Sequence, residues 1–127
     1  MTVVLNHTIV PVGDKVRGAR VLADLLGLEV GAPMGPFVPV RINEDLTFDF
    51  DDRAAGRPGH YAFLVDDATF DRALAVAKES GMPWGSAPRL TDRQINHLGG
   101  GRGVYVRDPD GIAYEFFTAI PSTAAVP

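Results

Sequence analysis

The chain contains no cysteine. A disulfide framework and any thiolate metal site are therefore excluded, and cysteine usage does not fix the redox compartment. Positive charge is also scarce. Twelve Lys and Arg stand against 16 Asp and Glu, a net charge of -4, so no electrostatic footprint for nucleic acid is present. No 18-residue apolar run is available to cross a membrane, and no charged and apolar leader opens the chain. The expectation is a soluble, cytoplasmic protein with neither a membrane nor a nucleic-acid partner. What is plentiful is Gly and Pro, 14 and 10 of 127 residues, which fits many short strands and turns better than long helices. The chain is 46% hydrophobic and 22% charged, which is the composition of a globular protein. Its length suits a single domain, 1–127, with a real core.

Residues 3–12 are β-branched and apolar and read as a buried strand, with His7 on one face beside Leu5 and Ile9. Asp14 reads as an N-cap, the apolar stripe from Val16 to Leu26 as a helix, and Gly27 as its close. A short strand is expected at 28–31. Two more are expected at 37–43 and 46–51, joined by a turn at Asn43-Glu44-Asp45. Leu46, Phe48 and Phe50 alternate with Thr47, Asp49 and Asp51, the period of a sheet with two unlike faces. After a polar connector at 52–58 the pattern restarts. Gly59 to Val65 reads as a strand, Asp67 as an N-cap, Phe70 to Ala77 as a helical stripe, and Gly81 as its end. Residues 82–88 hold two prolines and suit only a short or edge strand. A polar loop runs over 89–101. Two strands then flank Asp108-Pro109-Asp110-Gly111, a strong turn signal. The tail, 120–127, reads as frayed.

The two halves repeat the order strand, helix, strand, strand, strand. His7 and His60 lie 53 residues apart, Gly27 and Gly81 lie 54 apart, and Asp49 and Glu115 lie 66 apart. The larger offset is taken up by the loop at 89–101. The fold class is α+β. Two βαβββ modules, about 3–51 and about 59–119, neither able to bury its sheet face alone, are expected. Equivalent strands then carry His7 and His60 in one pair and Asp49 and Glu115 in the other.

Glu115 is the informative residue, because a carboxylate in an apolar strand needs a cation or donors to meet it. Taken singly, His7 and His60 are core histidines and Glu115 an arginine's partner. Taken in register across a repeat, two imidazoles and a carboxylate suit Fe, Mn, Zn, Ni or Co, and the 2-His-1-carboxylate set is the arrangement of non-haem Fe(II). Gly99-Gly100-Gly101 is followed by no helix and is not a phosphate loop. It reads as a flexible lid with Ile95 and Leu98 as apolar contacts. Glu44 reads as a solvated turn residue, and Arg102 and Arg107 as solvated strand-edge charge.

Leu5-Asn6-His7 ahead of a helix ending Leu25-Leu26-Gly27, Gly59-His60-Tyr61-Ala62-Phe63, and Asp108-Pro109-Asp110-Gly111 with a Glu four residues on together resemble the vicinal oxygen chelate superfamily. That group includes glyoxalase I, fosfomycin-resistance enzymes, extradiol dioxygenases and bleomycin-resistance proteins. The resemblance spans residues 3 to about 119. It implies paired modules forming an open, curved mixed sheet (a half-barrel) with helices on the outer face. It implies His7, His60 and Glu115 as ligands of a divalent ion, Fe2+ favoured and Mn2+, Zn2+, Ni2+ or Co2+ as alternatives. Asp49 occupies the place of a fourth ligand in glyoxalase I, although Asp is one methylene shorter than the Glu found there. Bleomycin-binding members lack these ligands, which argues against pure sequestration.

The shared step of such enzymes is chelation of a small-molecule substrate through two oxygens, with the metal as Lewis acid and template. Tyr105, ten residues before Glu115, matches a Tyr close to substrate in relatives, and His97 is a candidate acid–base group. Extradiol-type dioxygenation ranks slightly ahead of fosfomycin-type transfer or hydrolysis and of glyoxalase-like lyase chemistry. The alternative is a non-catalytic protein that sequesters a drug or metabolite among Phe37, Phe48, Phe63, Trp84, Tyr105 and Phe117. The chain is expected to be a homodimer, as many single-chain relatives are.

Overall fold

The computed structural model describes residues 2–54 and 56–120; the tail from residue 121 lies outside them. The chain divides into two compact units, Met1–Gly59 and His60–Pro127. The first holds β1 (His7–Pro11), α1 (Lys15–Leu26), β2 (Val38–Arg41) and β3 (Thr47–Asp51). The second holds β4 (His60–Leu64), α2 (Asp67–Ser80), β5 (Trp84–Gly85), a 3₁₀ turn at Leu98–Gly100, β6 (Gly103–Arg107) and β7 (Ala113–Phe117). Each unit has its own mixed sheet, ordered β1-β3-β2 in the first and β4-β7-β6-β5 in the second.

Both helices start on a side-chain cap and stop on a left-handed glycine. The Asp14 carboxylate accepts from the Arg17 N–H at 3.0 Å, and Gly27 closes α1 at φ 71°. In α2 the cap is Asp66, not the expected Asp67: its carboxylate accepts from the Thr69 N–H at 2.8 Å. Asp67 is then the first-turn acid, where a negative charge also suits the helix dipole. Gly81 ends this helix at φ 72°. Two other expectations are trimmed. His7 opens β1 instead of sitting in its middle, and the strand at 28–31 is reduced to one bridge, Val30 to Val40.

The repeat is visible in the hydrogen-bond register. In the first sheet Ile9 pairs with Asp49 across a parallel ladder, and Pro39 pairs with Asp49 across an antiparallel one. In the second sheet Ala62 and Tyr105 pair with Glu115 in the same two ways. Even the Val30–Val40 bridge matches, with Trp84 opposite Val106 in the second unit. Strand residues alternate between faces. One face of the second sheet (Tyr114, Phe116, Val104, Val106) is buried, as are Phe70, Ala73 and Ala77 of α2. The other face carries His60, Ala62, Glu115, Phe117 and Tyr105. In the first sheet Val10, Phe48, Phe50, Val38 and Val40 form the buried face with Ala19, Leu22 and Leu25 of α1, leaving His7, Ile9, Thr47 and Asp49 on the open one.

Tyr114 is fully buried and its hydroxyl has no hydrogen-bond partner among the described residues. Burial, with Asp108, Tyr61 and Asp110 nearby, pushes its phenol far up. An unmet buried hydroxyl is destabilising, so Tyr114→Phe is expected to raise the unfolding free energy by about 1 kcal/mol. Urea denaturation measures this, and a loss of similar size would show that the hydroxyl is satisfied.

Candidate metal centre

Glu115 is positioned by the turn before it. The Asp108 carboxylate accepts from the N–H groups of Asp110 and Ile112 at 2.9 and 2.8 Å. The Gly111 N–H donates to the Asp108 carbonyl at 3.0 Å, with Gly111 at φ 84°. These contacts fix where β7 begins, and a one-residue slip would turn Glu115 onto the helix-facing side. In the observed register Glu115 lies on the open face yet is only 8% exposed.

Two neighbours account for that burial. His60, on the adjacent β4, donates from Nε2 to Glu115 Oε1 at 3.0 Å. Tyr105 is directly opposite on β6, and its phenol feels the charge of the same carboxylate. The His60 and Tyr105 rings meet edge to face, with centroids 5.7 Å apart and planes at 67°. His60 keeps access to solvent, its side chain being 46% exposed against 10% for Glu115.

Tyr105 is held as a neutral phenol. Burial first, then the neighbouring Glu115 carboxylate, raise its pKa to about 12. The folded state thus favours the protonated form. Its contribution to stability is full below the unfolded value of 10.0 and is lost as pH rises through about 12. Glu115→Gln removes the charge but not the burial, so the Tyr105 titration is expected to move down from 12 toward 10. NMR of the labelled ring follows this, and an unmoved titration would assign the whole effect to burial.

In the first unit, His7 is exposed at the start of β1 and donates from Nδ1 to Asn6 Oδ1 at 2.9 Å. Asn6 in turn donates from Nδ2 to the Asp45 carbonyl at 3.3 Å. A carboxamide oxygen can only accept, so the pair fixes the His7 tautomer and leaves its Nε2 lone pair available. Asp49 occupies the position equivalent to Glu115 and is half-buried. The second unit therefore brings together His60, Glu115 and Tyr105, while His7 and Asp49 belong to the first. Among the described residues no three His, Asp or Glu side chains form a metal-holding group.

The donor set within the second unit fits a divalent ion. Nitrogen and oxygen ligands sit about 2.0–2.2 Å from such ions, so neighbouring ligands of one octahedral ion lie about 3 Å apart. That is the observed separation of His60 Nε2 and Glu115 Oε1. To ligate an ion, His60 Nε2 would have to give up the proton it donates to Glu115, so ion binding would replace this hydrogen bond.

The remaining candidates fare differently. His97 is exposed and donates from Nδ1 to the Gly101 carbonyl at 3.1 Å, leaving Nε2 as an acceptor. Glu44 is an exposed turn residue, Leu98 is 51% exposed and Ile95 is half-buried. Arg107 is exposed and donates to the Pro88 carbonyl at 2.9 Å. Arg102 is not solvated strand-edge charge. It pairs with Asp71 at 2.8 Å and Asp67 at 2.9 Å, and stacks 4.4 Å above the Phe70 ring. The two acids lie one helical turn apart, a spacing that could have flagged the fork. Sequence reasoning also passed over the orienting role of Asn6, although its place beside His7 was in plain view.

No family model matches the sequence, and no curated protein matches it. Solved structures do. The chain is 45% identical to oxidase ChaP-H2 over 96% of its own length and 98% of that chain, with a TM-score of 0.89. It is 44% identical to oxidase ChaP-H1 over 92% and 96%, with a TM-score of 0.84. The fosfomycin resistance protein FosX from Mesorhizobium loti shares the fold at 22% identity over 94% and 93%, with a TM-score of 0.66. The duplicated register, the Asp108–Gly111 turn with its buried Glu115, and near-complete coverage at 45% identity lead to one family, and the chain belongs to the vicinal oxygen chelate superfamily.

Proposed function

We propose that the protein is a divalent-metal-dependent dioxygenase of small organic molecules, with Fe(II) held by His7, His60 and Glu115. The observation that carries this reading is the buried Glu115 carboxylate 3.0 Å from His60 Nε2 on an open sheet face. The oxidase names of the two relatives at 45% and 44% identity favour oxidative chemistry over lyase or transferase chemistry. When bound, the ion supplies Lewis acidity and one-electron redox chemistry. His60 contributes a neutral nitrogen and Glu115 the compensating charge. Tyr105, protonated throughout the physiological range, acts as a hydrogen-bond donor beside the site and not as a base. His97 is assigned the proton-accepting role through Nε2. Asp49 serves as solvation of the first sheet's open face, a shorter carboxylate than a ligand there would need.

The substrate class is a planar compound with two adjacent oxygens, such as a catechol. Ring opening would break the carbon–carbon bond next to the diol and place both atoms of dioxygen in the product, so no external reductant is needed. The protein is taken to work in the cytoplasm as a homodimer. The experiment is metal analysis of protein purified without chelators, then anaerobic Fe(II) loading and an oxygen-uptake screen on catechols. Retained iron with catechol-dependent uptake supports the reading. Absence of metal together with no thermal shift from any divalent ion sinks it.

Asn6 gives a separate check. Groups that hold a metal-binding histidine in one tautomer typically matter about 10–100-fold in metal affinity. Asn6→Leu keeps the side-chain size and removes the acceptor, so Fe(II) affinity is expected to fall within that range. Calorimetric titration measures it, and wild-type affinity would remove His7 from the ligand set.

A further inference from the structure

The second sheet has a feature on its other face, independent of any metal. A cleft of about 580 Å³ opens between the end of α2, β5 and the chain around Thr91–Arg93. That volume lies within the roughly 300–1,000 Å³ typical of small-molecule sites. Its floor is apolar: Met82, Pro83 and the half-buried Trp84. Trp84 pairs with Val106 and shares that residue's face, the one opposite Glu115.

The polar part of the lining is positive. Lys78 places its ammonium 5.2 Å from the centre of the Trp84 ring. Arg93 joins it at the wall. Asp92, between the lining residues Thr91 and Arg93, is already committed: it accepts from the Ser86 N–H at 3.0 Å, the Ser86 hydroxyl at 2.6 Å and the Gln94 N–H at 3.1 Å. Those bonds hold its pKa below the usual value. At the helix end the Ala77 and Lys78 carbonyls already accept from the Met82 and Gly81 N–H groups.

Arg93 has a further property. It has φ 56°, and among the described residues it alone, glycine aside, has positive φ. Its N–H donates to the Trp84 carbonyl at 3.2 Å, which ties the strained residue to the aromatic floor. A bulky side chain in this region is disfavoured, and such strain concentrates where a ligand is held. Glycine would be the relaxed choice, so the guanidinium is kept at a conformational cost.

We propose that this cleft is a binding site for a planar aromatic anion, its ring on Trp84 and its carboxylate or sulfonate between Lys78 and Arg93. The cations select the charge, and the floor of Trp84, Met82 and Pro83 selects a flat apolar body.

Trp84 is the chain's single tryptophan, so its fluorescence reports occupancy directly. The test is a titration of the full chain with 2-naphthoate, run beside the uncharged 2-naphthalenemethanol. Saturable quenching by the acid, at least about tenfold tighter than by the alcohol, is expected from the loss of charge-assisted hydrogen bonds. Lys78→Gln and Arg93→Gly should each weaken the acid by at least about fivefold. Arg93→Gly should also raise Tm by about 2–5 °C, since glycine relieves the backbone, so weaker binding cannot be blamed on unfolding. His60→Ala should leave naphthoate binding unchanged. No saturable quench, equal affinity for the alcohol, wild-type affinity in both cleft variants, or loss of binding in His60→Ala would each overturn the proposal.

Discussion

Glu115→Ala is expected to abolish iron retention and to lower catechol-dependent oxygen uptake by at least about a thousandfold, the equivalent of roughly 4 kcal/mol of transition-state stabilisation. Glu115 is the one anionic donor of the proposed set, and His60 alone cannot replace its charge. The fold should survive, because the side chain lies on the sheet's open face and not among Tyr114, Phe116 and Val104. Removal also leaves no carboxylate to strand a buried partner: His60 is half exposed and can turn to water. Circular dichroism and metal content measured on the same sample separate the two outcomes. Wild-type iron content in a folded Glu115→Ala protein would eliminate Glu115 as a ligand. Glu115→Asp is the sharper companion, since it installs at this position the shorter acid that Asp49 presents in the other sheet. If ligation needs the extra methylene, it too loses most of its iron.

The largest structural effect is expected at Gly85. A Cβ built there would land on the Leu90 carbonyl oxygen, 2.7 Å from the carbonyl carbon and 2.9 Å from the Asp92 carboxylate. The obstacle is backbone and cannot swing away. Gly85→Ala is therefore expected to cost about 3 kcal/mol, the upper end of the range for overpacking. The strain would fall on the chain that follows, whose anchor is Asp92 on the Ser86 N–H and hydroxyl. Because Gly85 pairs with Tyr105, the disturbance would reach Tyr105, opposite Glu115, from the edge of the sheet. Gly35 serves as the control. It has φ 56° but nothing within 4 Å of an added Cβ, so Gly35→Ala is expected to cost only about 1 kcal/mol. Equal denaturation midpoints for the two variants would show that the chain beyond β5 yields easily.

Much of this was legible from residue order. Asp14, Gly27 and Gly81 are local signals: a cap or a positive φ is decided by a few neighbouring atoms, and each stands where the pattern places it. The repeat was legible because a strand's register is periodic, so the spacings between His7 and His60 and between Asp49 and Glu115 carry over into ladder partners. Asp66 was missed in favour of Asp67 because two adjacent acids can both cap. The choice was settled by Arg102, which draws Asp67 and Asp71 together from 31 residues or more along the chain. Arg102 itself looked solvated because its partners lie on a helix that precedes it. The positive φ of Arg93 and the tight approach at Gly85 had no signature, since both arise from where a loop folds back on a strand. Within the centre, the His60–Glu115–Tyr105 cluster follows from strand pairing, whereas the assignment of His7 to the same ion rests on the family pattern.

The hydrogen-bonded ladders have a consequence for how such chains can change. Among the described residues, each ladder begins and ends within its own unit, and the joint between Gly59 and His60 interrupts none of those ladders. It is therefore a natural crossover point for recombination. A chimera made there inherits two intact registers. From the donor of the second half it receives His60, Tyr105 and Glu115 as one block; from the donor of the first it receives Asn6 and His7. The Asn6–His7 pair and the His60–Tyr105–Glu115 block can thus be inherited from different donors.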